Sequence, residues 1–489
     1  MSAPSPDSSG GPLGSSPSRA PKAAAPARRK VYFVSLGCPK NQVDTEVMLG
    51  VVAGGGHELV HDAEAADTLV VNTCGFIDAA KEESIDTILE LAAQKRSAAE
   101  GRGGPEKLLV VTGCLSQRYP DELAKEMPEV DHFLGSADQL GLEKVLRGHA
   151  PRMGVTALGK RAYLYDHTTP RQITGTRHSV YVKIAEGCDR PCGFCIIPQL
   201  RGPQRSRSVY SVVEEVHALV QHGAREVCLV AQDLTLYGRD LEPRTDLEQL
   251  LDALCQIDGL QWVRLHYAYP TAVTEGLVER IAGQPKIASY LDVPMQHVDS
   301  DVLKKMRRGY GEKQVRTLVE QLRDPARLGD THVWLRTTML VGHPGETEAA
   351  YRRLYDFVAE GQLDHLGVFP WSREDGTASA LQPARVDEAL AEERAAELMA
   401  LQAEIRARKH AALVGRTLEV LVDGPSSEHE YLLDGRHEGQ APGIDGITIL
   451  TNGHAEPGRI VRAKIVQAST HDLVASLDLD ADEDIEIDA

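Results

Sequence analysis

The chain of 489 residues contains no run of about 18 uninterrupted apolar residues, so no segment of it reads as a membrane-spanning helix. Cysteine is scarce. Eight in so long a chain are far too few for a disulfide scaffold, and the tight grouping of three of them suits a reducing cytosol and metal binding. Basic residues are in deficit, 53 Lys and Arg against 72 Asp and Glu, and a net charge of -19 argues against a protein that grips nucleic acid with its whole surface. A basic partner fits that balance better. The first thirty residues, rich in Pro, Ser, Gly and Ala, lack the apolar core of a secretory signal and are expected to form a disordered tail. No repeat of solenoid type is present. The length exceeds one average domain, so two to four domains with proper cores are expected.

From residue 31 short β-branched runs alternate with amphipathic segments: VYFVSLG (31–37), a helical stretch over Val43–Val52, TLVVNT (68–73), a helix over Ala79–Ala93 and LLVVTG (108–113). That alternation predicts a parallel α/β sheet over 31–147. Each strand leads into a cysteine, Cys38, Cys74 or Cys114. Ligands of open α/β sheets sit beyond the carboxyl ends of the strands, so these three are expected to converge on one site.

A second alternation fills 174–408. Its strands are VYVKIA, EVCLVA, WVRLHY, SYLDV, HVWLRTTMLV and HLGVF, separated by helices such as Val212–Gln221, Leu247–Gln256 and Thr347–Glu360. Six βα units predict a partial barrel with its site at the strands' carboxyl ends. A long charged helix is expected over Asp387–Ala412. Short strands broken by Gly, Pro and Asn then predict a small antiparallel β-barrel over 413–477, and seven acidic residues among the last twelve (478–489) predict a solvated tail.

The stretch EGCDRPCGFC, directly after the first barrel strand, spaces Cys188, Cys192 and Cys195 as CxxxCxxC. Four thiolates usually hold a four-iron cluster, so three leave one iron open to a small molecule. The alternative is a zinc site completed by a histidine, with His178 the nearest in sequence. Cys228, within an apolar strand, and Cys255, within a helical run, read as buried packing residues. His266, His297 and His343 follow barrel strands and read as hydrogen-bonded structural residues.

This spacing after the first strand of a βα series resembles the radical S-adenosylmethionine superfamily, in which the open iron binds S-adenosylmethionine and an electron cleaves it to a 5′-deoxyadenosyl radical. The resemblance extends from Val31 to about Leu477. VYFVSLGCPKNQVDTE, VVNTCGFIDAAKEESID and VTGCLSQRYPDEL are similar to the amino-terminal domain of the methylthiotransferases; YLDVPMQHVDSDVLKKMRRGY, LRTTMLVGHPGET and VFPWSREDGT resemble their catalytic barrel, and the terminal β region their TRAM domain.

The resemblance implies two [4Fe-4S] clusters, the first on Cys38, Cys74 and Cys114 and the second, which binds S-adenosylmethionine, on Cys188, Cys192 and Cys195. Facing open irons would let the making and the transfer of a methylthio group share one cavity. No catalytic side chain is assigned beyond these ligands, and at His343 the family commonly has phenylalanine, so that residue inherits no role. Gln232, Gln296 and Arg336, at or near strand ends, are expected to contact the nucleoside. Arg201, Arg205 and Arg207 read either as neutralising the cofactor carboxylate or substrate, or as surface charge.

Two branches of the family compete as relatives. One, the RimO family, methylthiolates the β-carbon of an aspartate in small-subunit ribosomal protein S-twelve, and the other modifies a tRNA adenosine near the anticodon. SLGCPKN, VKIAEGC, CIIPQLRG and LDVPMQH resemble the ribosomal-protein branch. Between Leu413 and Leu477 five Lys or Arg stand against nine Asp or Glu, a net of -4, which suits a basic ribosomal protein better than tRNA phosphates. A non-catalytic iron–sulfur or zinc protein is the weakest reading, because nothing but catalysis readily explains two sites of three cysteines. The resemblance further implies a cytoplasmic enzyme served by an electron donor such as flavodoxin or ferredoxin and by a sulfur source.

Overall fold

A computed structural model describes residues 28–100, 106–159 and 162–479. The tails expected over 1–30 and 478–489 lie outside these residues, save for their innermost positions. Lys30, counted in the first tail, already begins a strand.

Six parallel strands form the first sheet: β1 (Lys30–Ser35), β2 (Glu58–Leu59), β3 (Thr68–Thr73), β4 (Leu108–Gly113), β5 (His132–Leu134) and β6 (Met153–Gly154), in the order β2-β1-β3-β4-β5-β6. The central β3, TLVVNT, is buried at every position, as expected of a parallel strand covered on both faces. The sheet therefore runs past residue 147 to β6, a two-residue strand that no alternation could mark. Helix α1 (Pro39–Gly54) follows β1, with Pro39 in its first turn, where a missing N–H costs nothing. Helix α2 (Asp78–Ala99) and the short α3 (Cys114–Arg118) follow β3 and β4.

Helix α1 is buried along most of its length, yet it carries Lys40, Asn41, Asp44, Thr45 and Glu46 among its buried residues. Asn41 and Thr45 bond within the first domain, to Leu36, Thr73, Ser35 and Asn72, while the carboxylates are tolerable because their partners come from farther along the chain. Glu46 pairs with Arg171 at 2.5 Å and accepts from the Thr174 backbone N–H at 2.9 Å; Asp44 pairs with Lys183 and with Arg201. Helix α1 is thus the seam between the first sheet and the second.

The second sheet comprises β7 (Ser179–Lys183), β10 (Glu226–Val230), β11 (Trp262–Leu265), β12 (Ile287–Asp292), β13 (Trp334–Val341) and β14 (His365–Pro370), ordered β14-β13-β12-β11-β10-β7 and parallel throughout. Strict sequential order with intervening helices gives the open six-strand barrel. A minor antiparallel pair, β8 (Ala185–Glu186) and β9 (Arg205–Ser206), brackets the CxxxCxxC loop. The long helix Glu388–Ala411 is capped by Asp387, whose side chain accepts from the N–H groups of Ala389 and Leu390, and it lies along the β14 side.

Five strands close the terminal barrel: β15 (Thr417–Pro425), β16 (Leu433–His437), β17 (Thr448–Thr451), β18 (Ile460–Ala468) and β19 (Leu473–Ser476), in the order β15-β16-β17-β19-β18. The small barrel expected from the sequence is present, antiparallel except where β17 and β19 pair in parallel. Strand direction cannot alternate around a closed ring of odd number, so five strands impose one parallel pair.

Candidate functional site

The carboxyl ends of both sheets face one chamber of about 350 Å³, and six of the eight cysteines line it: Cys38, Cys74 and Cys114 from the first sheet, Cys188, Cys192 and Cys195 from the second. A volume of this size suits a cofactor and a substrate side chain.

On the first-sheet side two turns are tied together by side-chain amides. Asn41 Nδ2 donates to the carbonyls of Leu36 (3.0 Å) and Thr73 (2.9 Å), while Asn72 Nδ2 donates to the Asn41 carbonyl at 2.9 Å. This brings the Cys38 and Cys74 turns into contact. Gly37 has φ +89°, and a Cβ there would stand 2.9 Å from the Cys74 Cβ, so both the backbone conformation and the space require glycine. On the barrel side Gly187 does the same work. At φ +83° its α-carbon lies against the Pro203 carbonyl, and it lets the loop carrying Cys188 turn out of the strand.

Burial pushes the Cys114 and Cys195 thiols up to about 12 and Cys188 up to about 11, and it raises Cys74. Only Cys38 is lowered, since Lys40 and Arg201 outweigh its burial. Thiols so disfavoured as anions become ligands when a metal replaces the proton, and the set of three thiols on each side, with basic groups close by, fits iron–sulfur ligation. Arg201 Nε donates to Cys114 Sγ at 3.3 Å, Arg308 Nη1 to Cys192 Sγ at 3.2 Å and the Arg190 backbone N–H to Cys188 Sγ at 3.4 Å. Donors of this kind stabilise thiolate charge.

The zinc alternative finds no support in His178, whose Nε2 lies 3.0 Å from Asp423 Oδ1 of the terminal barrel. Among the described residues no three His, Cys, Asp or Glu side chains stand close enough together for a single metal ion. Cys228 and Cys255 are buried away from the chamber. Cys228→Ala and Cys255→Ala should each leave the bound iron unchanged in a colorimetric iron assay, at a stability cost of about 1–2 kcal/mol for the lost packing.

Gln232 and Gln296 line the chamber and Arg336 does not. Gln232 Nε2 donates to Glu186 Oε1 at 2.7 Å, and its buried Oε1 has no partner among the described residues. Gln296 has φ +70°, a strained conformation for a non-glycine residue. Arg336 points elsewhere because Asp445 of the terminal barrel captures it at 2.5 Å, so its expected contact with the nucleoside is not supported.

The arginine cluster also needs correcting, for none of the three is surface charge. Arg201 is 2% exposed and bridges Asp44 and Glu186; Arg207 pairs with Glu215; Arg205 donates to the Arg201 and Pro203 carbonyls. The three histidines are buried. His343 Nε2 lies 2.8 Å from Ser379 Oγ, His297 Nδ1 accepts from the Asp299 N–H, and burial lowers His266 to about 3. Sequence reasoning missed Lys40, Arg190 and Arg308 in the chamber wall. Their place within the cysteine and KKMRRGY motifs was the available signal.

Comparison with known proteins agrees with this architecture. Residues 30–135 match the family described as Uncharacterized protein family UPF0004, 182–358 the Radical SAM superfamily and 414–477 the TRAM domain. A radical S-adenosylmethionine methyltransferase, TsrM from Kitasatospora setae, shares the fold over 73% of this chain and 74% of its own, with a TM-score of 0.53 at 14% identity. Ribosomal protein uS12 methylthiotransferase RimO of Sorangium cellulosum is 49% identical over 92% of this chain and 91% of its own, and that of Geobacter sulfurreducens 45% identical over 92% and 99%. At this identity and coverage the chain belongs to the RimO family of ribosomal protein uS12 methylthiotransferases.

Proposed function

We propose that the chain transfers a methylthio group to the β-carbon of an aspartate of ribosomal protein uS12, with Cys38, Cys74 and Cys114 holding one [4Fe-4S] cluster and Cys188, Cys192 and Cys195 a second. The observation that carries this reading is the opening of both cysteine groups, three from each domain, into one chamber. When bound, the clusters and S-adenosylmethionine would supply the radical and the methyl group that methylthiolation of an unactivated carbon requires, the electron and the sulfur coming from an electron donor and a sulfur source.

The chain's own residues bind and enclose. Gln232 and Gln296 line the chamber, which supports their contact with S-adenosylmethionine, and the Gln232 Oε1, unpartnered among the described residues, is available to a donor of that cofactor. Phe76, Phe194, Ile197 and Leu200 give the wall an apolar lining that excludes water from a reactive intermediate. Glu374 closes the two domains around it, pairing with Arg118 at 2.6 Å and Lys81 at 3.0 Å from the first domain.

The substrate reading draws on the curated relatives and on charge. Glu419, Glu428, Glu430 and Glu456 are exposed on the terminal barrel beside Arg416, Arg459 and Arg462, and the domain's net charge of -4 favours a basic ribosomal protein over phosphates. The work belongs in the cytoplasm, where uS12 is made and assembled, and no described helix is long and apolar enough to cross a membrane. An electron donor such as flavodoxin or ferredoxin and a sulfur source complete the system. Mass spectrometry of uS12 and tRNA from cells with and without this gene tests the substrate. The expected result is loss of the methylthio mass from the uS12 aspartate with tRNA unchanged; loss from a tRNA adenosine instead would transfer the reading to the other branch.

A further inference from the structure

The cations that line the chamber differ in what holds them. Arg201 pairs with Asp44 and Glu186, and Arg190 with Asp233 at 2.7 Å. Arg308 is spent on Cys192 Sγ, the Tyr310 hydroxyl and the Pro294 carbonyl. Lys40 makes no ion pair with a carboxylate among the described residues. It is 8% exposed, and its ammonium lies 3.4 Å from the centroid of the Tyr267 ring. Asp292 is buried below the chamber, where its nearest basic partner is Arg336 at 4.0 Å, beyond ion-pair reach of Lys40.

Among the described residues no carboxylate answers this buried ammonium, whose partners are the Tyr267 ring and the Cys38 sulfur that it helps to hold as a thiolate. Tyr267 carries a cost of its own. Its φ of +66° is a sparsely populated conformation for a residue with a side chain, at the carboxyl end of β11 where it presents its ring to Lys40. A cation with no carboxylate partner beside a strained residue in a cavity wall marks a place completed by something that enters the cavity.

We propose that Lys40 binds the side-chain carboxylate of the substrate aspartate and so fixes its β-carbon in the chamber. This rests on the reading of uS12 as substrate. The carboxyl carbon is bonded directly to the β-carbon, so an ion pair there holds the reacting atom within a bond length of a fixed point. Lys40 lies in the first turn of α1, two residues from Cys38, which sets that point beside the first-sheet cysteines. The bonds of Arg190 and Arg308 to Cys188 and Cys192 keep them on the opposite side, next to the barrel cysteines. The largely apolar wall strengthens a charge pair formed inside it.

The test is binding of two peptides to the full chain carrying its clusters, read by fluorescence anisotropy: one spans the modified aspartate of uS12, the other has asparagine in its place. The wild-type chain should prefer the aspartate peptide by about 10- to 100-fold, the range of a charge-assisted hydrogen bond to a buried group. In Lys40→Met the preference should vanish through loss of affinity for the aspartate peptide, with the asparagine peptide bound as before. Lys40→Arg, which keeps the charge, should retain a preference for aspartate. An undiminished preference in Lys40→Met, or equal weakening of both peptides, would overturn the assignment, the latter by showing that Lys40 merely props the Tyr267 ring. A wild-type chain that bound neither peptide would remove the substrate reading itself and this assignment with it.

Discussion

Alanine at any one of Cys188, Cys192 and Cys195 should lower formation of 5′-deoxyadenosine by more than about 100-fold, the upper end of what the loss of a mere supporting contact around a metal site costs. Alanine at Cys38 or Cys74 should instead abolish methylthio transfer and leave cleavage of S-adenosylmethionine in place. The separation follows from the framework. The barrel cysteines ride on one loop between β8 and the helix Ile197–Arg201, whereas Cys38 and Cys74 end strands of another sheet and are fixed by Asn41, Asn72 and Ser84 of that sheet's own domain. Cys114 is the less clean variant, because Arg201 donates to its sulfur and also pairs with Glu186 beside the barrel loop. Iron content, deoxyadenosine by chromatography and the far-ultraviolet circular dichroism of each variant check the outcome. Cleavage that survives in Cys195→Ala would sink the assignment of the barrel cluster; loss of cleavage in a folded Cys74→Ala would sink the independence of the two sites.

The convergence of the cysteines was legible because it depends on topology alone. Strands β3 and β4 are apolar runs each followed at once by a cysteine, and parallel order carries Cys74 and Cys114 to the same end of the sheet whatever the rest of the chain does. Charges were not legible in this way. Within PKNQVDTEVMLG nothing local marks Asp44 and Glu46 as buried, yet both are, because Lys183, Arg201 and Arg171 reach them from more than 120 residues away. For the same reason Arg201 stayed open between neutralising a cofactor or substrate and surface charge, and nothing near Arg336 showed that Asp445 takes it. A partner distant in sequence leaves no local pattern. Strands β2, β5 and β6, two or three residues each, are too short for any alternation to register, and β19 lacked one strong enough to separate it from the turn before it.

Glu226→Gln should destabilise the joined barrel and terminal domain by about 3–5 kcal/mol, the cost of breaking a buried ion pair from one side. Glu226 opens β10 with no exposed surface. Its Oε1 accepts from Arg264 Nε at 2.7 Å, and its Oε2 accepts from Arg436 Nη1 at 2.8 Å and Ser179 Oγ at 2.7 Å. Arg436 belongs to β16 of the terminal barrel and also holds Asp423, itself bonded to His178, so this carboxylate is the point at which the two domains share charge. Among the described residues Arg264 has no other carboxylate; its remaining hydrogen bond is to the Glu438 carbonyl. Burial alone would raise the pKa of Glu226, but Arg436 and then Arg264 outweigh it and hold the carboxyl at about 2. A folded value below the unfolded one of about 4.3 means the stabilisation is complete above the unfolded value and is lost as pH falls from there toward 2. The urea midpoint of the wild-type chain should therefore fall over that window, and Glu226→Gln should start lower at neutral pH and show a shallower acid loss. Pairing the change with Arg264→Met removes the stranded guanidinium and should recover part of the deficit, since an apolar replacement of both partners is often neutral where removal of one is not. Equal midpoints for Glu226→Gln and wild type at pH 7 would show that the terminal barrel is held by packing against Trp334 and Tyr290 rather than by this charge cluster.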